Sequence, residues 1–445
     1  MRASSCSRLL TLLTALTHLT LIPLVGLLGG CRADLPGDST DGTPADDGRA
    51  EPEAWTQWRG AGRDAVVRDF SPPAQWPEIL TPVWNTRVGA GYSSPIATES
   101  VAFIHTREGD QEIVSALTLE TGEVLWSDSY PAPATKAPEF AQIEGEGPYA
   151  TPILHAGRLH TVGVNGVVST YEAGTGELVW RREFSDLIVE TQRFCGVASS
   201  PLIADGRLVV QVGDDDSGDV LAMDPETGET VWTWASPATS NASPNVVEID
   251  GVRQVVTMTD EAVVSLGIAD GSLLWQHPFP GVQGSCSTNI PSPVVDGNTV
   301  ILAAMVQGSQ AIEVVHSDEG WTTRLLWQND ELEPLWSNFA LSKGELFGVL
   351  QKRKGQLFSA DARTGAQHWS TEGRSGENGF TLVAGDAVLF LMNEGELIVA
   401  RRAQPGLKPE KTYTVADAAV WSYPVLLDGG ILVKAGTTLS LWSFD

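Results

Sequence analysis

The chain has 445 residues and a formal net charge of −28, with 56 acidic and 28 basic side chains. So acidic a chain is repelled by nucleic acid and by anionic lipid surfaces, which argues against both as partners. Its length allows two or three domains, or one long array of repeats.

Residues 1–30 have the pattern of an export signal. Arg2 and Arg8 precede a long apolar run, and Cys31 follows it, which is typical of a cleaved signal rather than of a membrane-spanning helix. The segment "LGGC" at 28–31 resembles the lipobox of bacterial lipoproteins. That resemblance implies lipidation at Cys31, a lipid chain as the only membrane anchor, and, with Arg32 next, sorting to the outer membrane facing the periplasm. An ordinary secretory signal with an incidental Cys31 is the alternative.

Residues 31–54 are rich in Asp, Glu, Gly and Pro and have no periodicity. Such a segment cannot bury enough apolar area to fold, so we predict a disordered acidic tether. Two further cysteines, Cys195 and Cys286, follow in the rest of the chain. They could form a disulfide or remain two buried thiols.

An eleven-residue phrase with glycine at its seventh place and tryptophan at its last recurs after residue 55. Its first copy, "ALTLETGEVLW", spans residues 116–126. The tryptophans of the five copies and of a weaker sixth copy are Trp126, Trp180, Trp232, Trp275, Trp369 and, in the weaker copy, Trp327. The glycines are Gly122, Gly176, Gly228, Gly271 and Gly365. Intervals of 42 to 54 residues between these tryptophans are typical of propeller blades or helical repeats.

The pattern inside each unit favours the propeller. Each unit contains four short apolar or alternating runs separated by glycine-bearing turns, which is strand chemistry. Eight copies of an inner-strand signal, typified by "SSP" at 199–201, predict eight blades, and "ILTPVWNTRVG" with Trp84 supplies a strand that can close the ring beside the last blade. We therefore predict that residues 55–445 form an all-β, eight-bladed β-propeller of four-stranded antiparallel blades. Each repeated glycine should adopt positive φ, and each repeated tryptophan should pack in the seam between blades.

The repeated phrase resembles that of pyrroloquinoline-quinone (PQQ) dehydrogenases and of BamB, the propeller lipoprotein family of the β-barrel assembly machinery. "WTQWRGAGRDA" at 55–65 and "GAGYSSP" at 89–95 resemble a group of exported PQQ-binding-like propellers. The resemblance covers residues 55–445. It implies the propeller architecture strongly and an activity only weakly, because one fold hosts many functions.

The dehydrogenase resemblance implies parts that this sequence lacks. The family has adjacent cysteines over the quinone and a Ca²⁺ site of Glu, Asn and Asp, and none of these can be placed on a matching motif here. We predict no catalytic residues and no cofactor, with PQQ and Ca²⁺ kept only under the alternative of a quinone-dependent dehydrogenase. No metal site is predicted either; Asp215, Ser217 and Asp219 alternate as in a cation-binding loop, but a hairpin turn is the competing interpretation.

The blade topology predicts two unlike faces. Short, similar turns should lie on one face, and every long loop on the other, where binding normally resides. Arg193, Trp336 and Trp421 each come just before an inner strand and should lie near the channel mouth. Exposed Trp and Arg are typical interface anchors, whereas the competing interpretation is that the tryptophans only fill the axis. We expect a monomeric, non-catalytic scaffold that binds a protein or other cell-envelope partner by this face, with a polysaccharide-binding module as a further alternative.

Overall fold

A computed structural model describes residues 55–133, 147–188, 196–213, 217–236, 238–281, 289–403 and 406–445. These residues form eight antiparallel sheets built on four strands each, which confirms the predicted eight-bladed β-propeller. A single turn of 3₁₀ helix, Ser185–Leu187, interrupts the β structure. Among the described residues, no helix has the length and apolarity needed to cross a membrane.

Each blade runs from an inner strand at the axis to an outer strand at the rim. The strands of blade 1 are Ile96–Ala97, Val101–Glu108, Gln111–Thr118 and Val124–Pro131, and those of blade 2 are Ile153–His155, Arg158–Val162, Val167–Glu172 and Leu178–Glu183. The strands of blade 3 are Leu202–Ala204, Arg207–Gly213, Gly218–Met223 and Thr230–Ser236, and those of blade 4 are Asn245–Ile249, Val252–Met258, Ala262–Gly267 and Leu273–Pro278. The strands of blade 5 are Val294–Asp296, Thr299–Ala304, Gly308–Ser317 and Gly320–Asn329. Those of blade 6 are Ala340–Ser342, Glu345–Leu350, Gln356–Asp361 and Gln367–Ser370. Those of blade 7 are Gly379–Ala384, Ala387–Met392, Glu396–Arg402 and Leu407–Thr414. The short strand Val66–Val67 adds a parallel fifth member to blade 7.

The eighth blade joins the two ends of the folded region. Its three inner strands are Val425–Leu427, Gly430–Ala435 and Thr438–Ser443, and its outer strand is Thr81–Arg87 from the start of the fold. Thr81 pairs with Ser443 and Arg87 pairs with Thr438. This closure confirms the role predicted for the Trp84 segment, and it leaves no open seam in the ring.

Trp side chains lock neighbouring blades together. The six-membered ring of Trp180 in blade 2 lies against Gly228 of blade 3, where an added Cβ would come within 2.6 Å of the indole. The Trp180 indole N–H also donates to the Pro225 carbonyl of blade 3, at 2.9 Å. The same pair of contacts joins blade 8 to blade 1, 1 to 2, 3 to 4 and 5 to 6 through Trp84, Trp126, Trp232 and Trp327.

The repeated glycine therefore has two reasons to be glycine. It adopts positive φ in the turn before the outer strand, as predicted, with 72° at Gly122 and 69° at Gly228. It also leaves the space that the indole of the preceding blade occupies. A side chain at this position would be excluded by both constraints.

Three of the eight seams are built differently. In blade 6, Trp369 lies against Gly406 beside blade 7, but its Cβ and five-membered ring, not its six-membered ring, are the nearest atoms. In blade 4 the Trp275 indole donates to Gln254 of its own blade, at 2.6 Å. In blade 7 the register puts Lys411 where the other blades have tryptophan, opposite Val399, and Lys411 pairs with Glu78 at 2.7 Å. The seam beside blade 8 is filled instead by an aromatic cluster of Phe70, Trp76 and Phe444.

A second ring of contacts surrounds the axis. The serine hydroxyls of the Ser-Pro pairs make specific hydrogen bonds between blades. The Ser200 N–H, for example, donates to Ser243 Oγ of the next blade at 2.9 Å. The equivalent bonds run from Tyr423 to Ser94, Ser94 to Thr151, Thr151 to Ser200, Ser243 to Ser292 and Ser292 to Asn338. These side chains satisfy buried backbone amides that would otherwise lack a partner.

We predict that Gly228→Ala destabilises the protein more than Gly206→Ala. Both glycines adopt positive φ, 69° and 76°, but nothing lies within 4 Å of a Cβ at Gly206 whereas the Trp180 ring does at Gly228. The φ cost is about 1–2 kcal/mol at either site, and overpacking should add about 1–3 kcal/mol at Gly228 only. Urea unfolding of both variants measures the difference; equal losses would show that the indole does not occupy the seam.

Candidate functional site

An axial cup opens on the long-loop face of the disc. It has a volume of about 150 Å³. The lining residues come from every blade and from the N-terminal segment: Trp58, Tyr92, Ser94, Tyr149, Thr151, Ala198, Ser200, Asn241, Ser243, Ile290, Trp336, Asn338, Asn378, Phe380, Trp421 and Tyr423. Aromatic rings, amides and hydroxyls make up this lining, and none of its described residues is charged.

The repeat explains how the cup is assembled. The residue immediately before the proline position, such as Ser200, belongs to the ring of hydrogen bonds between blades that surrounds the axis, called the hydroxyl ring below. The residue two places earlier lines the cup wall in seven of the eight blades: Tyr92, Tyr149, Ala198, Asn241, Ile290, Trp336 and Trp421. Each link between blades therefore contributes one variable side chain at a fixed height above the inner strands.

Four of these wall residues form a connected arc of aromatic rings. Tyr92 lies 5.5 Å from Tyr149 and 5.6 Å from Trp421, and Trp421 lies 5.4 Å from Trp336, measured between ring centroids. The planes of each pair are tilted by 69°, 35° and 49° respectively. Tilted pairs at this spacing are favourable because the edge of one ring faces the electron-rich face of another.

The N-terminal segment forms the floor of the cup. Trp55 pairs with Ala97 at the far end of the first inner strand, and the Thr56 carbonyl accepts from the Leu154 N–H at 2.8 Å. Trp58 projects toward the mouth and packs edge-on against Tyr423, with 6.1 Å between centroids. The segment therefore closes the channel at its turn-face end and leaves the cup open on the opposite side.

Two buried arginines hold this floor in place. Arg63 donates to the Pro201 carbonyl at 2.8 Å, and Arg59 donates to the Phe339 carbonyl. Their guanidinium groups lie 5.4 Å and 5.3 Å from the Trp58 ring centroid, a distance at which cation–π attraction operates. Burial, and secondarily the charge of Arg59, lowers the pKa of Arg63 to about 9. Both cations lie behind Trp58 and outside the lining of the cup.

The structure brings together two of the three residues predicted for the binding face. Trp336 and Trp421 lie side by side at the cup mouth, whereas Arg193 lies outside the described residues. The sequence missed Tyr92, Tyr149 and Trp58. The first two could have been found, because both occupy the same place before the proline position as Trp421.

The other candidate site residues lie partly or wholly outside the described part of the chain. Ser217 immediately precedes the strand Gly218–Met223, and Asp219 lies within it. Asp215 lies outside the described residues, as do Cys31, Cys195 and Cys286. Burial raises the pKa of Asp219. Within the described ranges, no group of three or more His, Cys, Asp or Glu side chains could hold a metal ion.

The cup does not fit PQQ with Ca²⁺. Calcium takes six to eight oxygen ligands, usually including carboxylates, and the described lining contains none. A cavity of about 150 Å³ matches a single benzene-sized ring, whereas the quinone has three fused rings. The described residues of the cup therefore provide no site for this cofactor.

A separate polar cluster lies fully buried between blades 1 and 2. The Tyr130 hydroxyl donates to Glu112 Oε2 at 2.6 Å and lies 3.1 Å from His105 Nε2. Glu112 Oε1 accepts from the Val164 N–H at 3.1 Å. His105 and Glu112 are each 0 % exposed, so the cluster has no access to a substrate and joins two blades. An added Cβ at Gly163 would lie 2.2 Å from Glu112 Oε2, which requires glycine there.

This cluster predicts a specific loss of stability in acid. Burial alone would raise the pKa of Glu112, but His105, Tyr130 and the Val164 amide lower it overall from 4.5. A carboxyl group whose pKa is lower in the folded than in the unfolded state stabilises the protein at pH values above its unfolded-state pKa. That stabilisation is lost as the pH falls from the unfolded-state pKa through the folded-state pKa. Glu112→Gln should cost about 1–3 kcal/mol at pH 7, with a smaller cost near pH 3. Urea midpoints across this range test the prediction, with the exposed Glu120→Gln as control; a cost independent of pH would contradict it.

Comparison with known proteins gives one family. The profile of the family described as outer membrane protein assembly factor BamB matches residues 110–371, more than half of the chain. BamB of Kangiella koreensis is 29% identical over 143 residues, which cover 32% of each protein. BamB of Yersinia pestis is 25% identical over 197 residues, covering 44% of this chain and 45% of its relative. The chain thus spans less than half the length of these two curated relatives.

Solved structures with this fold include both a BamB protein and a dehydrogenase. BamB from Moraxella catarrhalis matches with a TM-score of 0.57 at 16% identity, covering 82% of this chain and 100% of the other. A quinohemoprotein alcohol dehydrogenase from Pseudomonas putida matches with a TM-score of 0.63 at 13% identity, covering 88% and 80% respectively. At these identities the similarity shows the propeller fold alone.

Proposed function

Since the chain belongs to the family described as outer membrane protein assembly factor BamB, we propose that it is a non-catalytic scaffold of the cell envelope. In this role it binds a protein partner during the assembly of outer-membrane proteins. The family match over residues 110–371 is the observation that carries the proposal. It spans blades 2 to 6 completely, together with the two outer strands of blade 1.

The long-loop face is the proposed binding surface, and Trp336 and Trp421 are its proposed anchors. Both are half-buried at the mouth of the cup, so part of each ring is available to a partner. Tryptophan at the centre of a recessed patch is typical of residues that dominate binding energy. Arg193, in the link between blades 2 and 3, belongs to the same proposal.

Attachment to the membrane is part of the proposal. We propose that residues 1–30 are removed and that Cys31 carries the lipid, with 31–54 as a tether. A flexible chain of this length spans about 25–30 Å on average. These residues lie outside the described ranges. The described chain begins at Trp55, at the opposite end of the axis from the cup.

Deletion of the gene in its native host should lower the amount of β-barrel proteins in the outer membrane several-fold. The wild-type gene should restore it, and Trp336→Ala/Trp421→Ala should restore it poorly because the proposed anchors are lost. Immunoblots and heat-shifted gel mobility of outer-membrane fractions measure the effect.

Trp321→Ala is the matched control. Trp321 is half-buried on the outer strand of blade 5, where it stacks on His316 at 4.1 Å, far from the cup lining. It should restore the β-barrel proteins fully, at equal cellular abundance of both variants. A deletion that leaves β-barrel proteins unchanged would contradict the assembly role. Full rescue by the double variant would contradict the choice of anchors.

A further inference from the structure

The size of the cup limits what can enter it. Its volume of about 150 Å³ is that of a cavity that holds one benzene-sized ring. The wall is formed by side chains from seven blades, so the described residues enclose the cup laterally and leave it open at its mouth. One ring-shaped group on an extended chain fits this shape, whereas a folded surface cannot reach the floor at Trp58.

The chemistry of the wall favours an aromatic ring. The arc of Tyr149, Tyr92, Trp421 and Trp336 offers both edges and faces at centroid spacings of 5.4 to 5.6 Å. A ring inserted beside them can extend the same tilted arrangement. The described lining carries no charged side chain, so a charged group would enter without a counter-ion.

The wall also has an acceptor that lacks a donor. Within the described part of the chain, Asn241 Oδ1 lies buried without a hydrogen-bond partner, and Asn241 is one of the cup residues. A buried carbonyl oxygen without a partner is costly. The N–H groups of a peptide backbone, or of an indole, are the donors that would satisfy it.

The charge of the long-loop face determines which residues should flank the ring. Acidic residues lie in the described turns and links of the long-loop face on blades 1, 2, 4, 5, 6 and 7: Asp110, Asp186, Asp260, Glu261, Asp330, Glu331, Glu333, Glu372, Glu377, Glu394 and Asp417. Of these, Glu331 pairs with Lys352. In the described turns and links of this face, basic residues are confined to blade 6 and the link that follows it: Lys352, Arg353, Lys354 and Arg374. A partner segment with Lys or Arg beside its ring would complement this surface.

We propose that the cup binds one aromatic side chain of an extended, basic peptide segment of the partner protein. This inference rests on the proposed function, since it takes the partner to be a protein, and it adds the chemistry of the segment and the mode of contact. The ring occupies the space above Trp58, the backbone passes across the mouth near Asn241, and the cationic flanks lie on the acidic rim.

Short synthetic peptides test the proposal directly. The probe is a nonapeptide of Gly and Ser with a central Phe and two Lys on each side, and binding to the folded protein is measured by calorimetry at two salt concentrations. Replacement of the Phe by Ala, or of the four Lys by Glu, should each weaken binding at least tenfold. Added salt should weaken binding of the Lys peptide, because screening reduces the attraction of the rim.

Ala198→Trp is the matched protein variant. Ala198 is a half-buried wall residue, and a large side chain there fills the cup without removing any existing interaction. Ala198→Trp should abolish the difference in affinity between the Phe and Ala peptides, while Trp321→Ala should preserve that difference. Trp421→Ala, which widens the cup, provides a second test should Ala198→Trp lower the thermal midpoint of unfolding.

The outcomes separate this inference from the proposed function. Equal affinity for the Phe and Ala peptides, or unchanged binding by Ala198→Trp, overturns the inference. Binding of glucose or N-acetylglucosamine in the cup, with no peptide binding, overturns it in favour of a glycan ligand. If Ala198→Trp still restores β-barrel proteins in the deletion strain, the inference fails while the assembly role stands. Loss of that rescue together with loss of Phe-peptide binding supports both.

Discussion

The contact between an indole ring and the glycine of the next blade holds this molecule together. A single four-stranded blade cannot cover its own two faces, so each blade depends on its neighbours to bury them. In five seams a tryptophan at the equivalent position of the blade fills the gap and donates its indole N–H to a backbone carbonyl of the next blade. Truncation of a buried Trp costs about 3–5 kcal/mol, which is a large share of the stability of any domain. The hydroxyl ring at the axis repeats this cross-linking on the inner side.

A rigid ring gives its irregular links a fixed geometry. The inner strands are held at one height. The side chain four places before the first residue of an inner strand therefore enters the axial cup at a fixed height, as Trp336 and Trp421 do. The N-terminal segment then decides which end of the axis is open. Arg59 and Arg63 tie that segment to carbonyls of blades 3 and 6, so Trp58 forms a floor and the cup remains on the long-loop face.

The sequence predicted most of the fold because the fold is periodic. The inner-strand signal indicated the number of blades, the repeated glycine and tryptophan indicated the position of most seams, and Trp84 indicated the closure of the ring. It predicted less of the cup, since each blade contributes one wall residue of variable type and only the two tryptophans stand out. Arg63 and Trp58 could not be placed, because their segment belongs to no repeat. The His105–Glu112 cluster was also hidden, as its members are brought together only by packing between blades.

Hydrogen exchange of the indole N–H groups, followed by NMR, tests the central claim most directly. If indoles lock the seams, the N–H groups of Trp84, Trp126, Trp180, Trp232 and Trp327 should exchange only through global unfolding, with the same free energy for all five. The central claim would be contradicted if these five groups exchanged within minutes under native conditions, or with free energies well below that of global unfolding. The blades would then be held together by something other than their tryptophans.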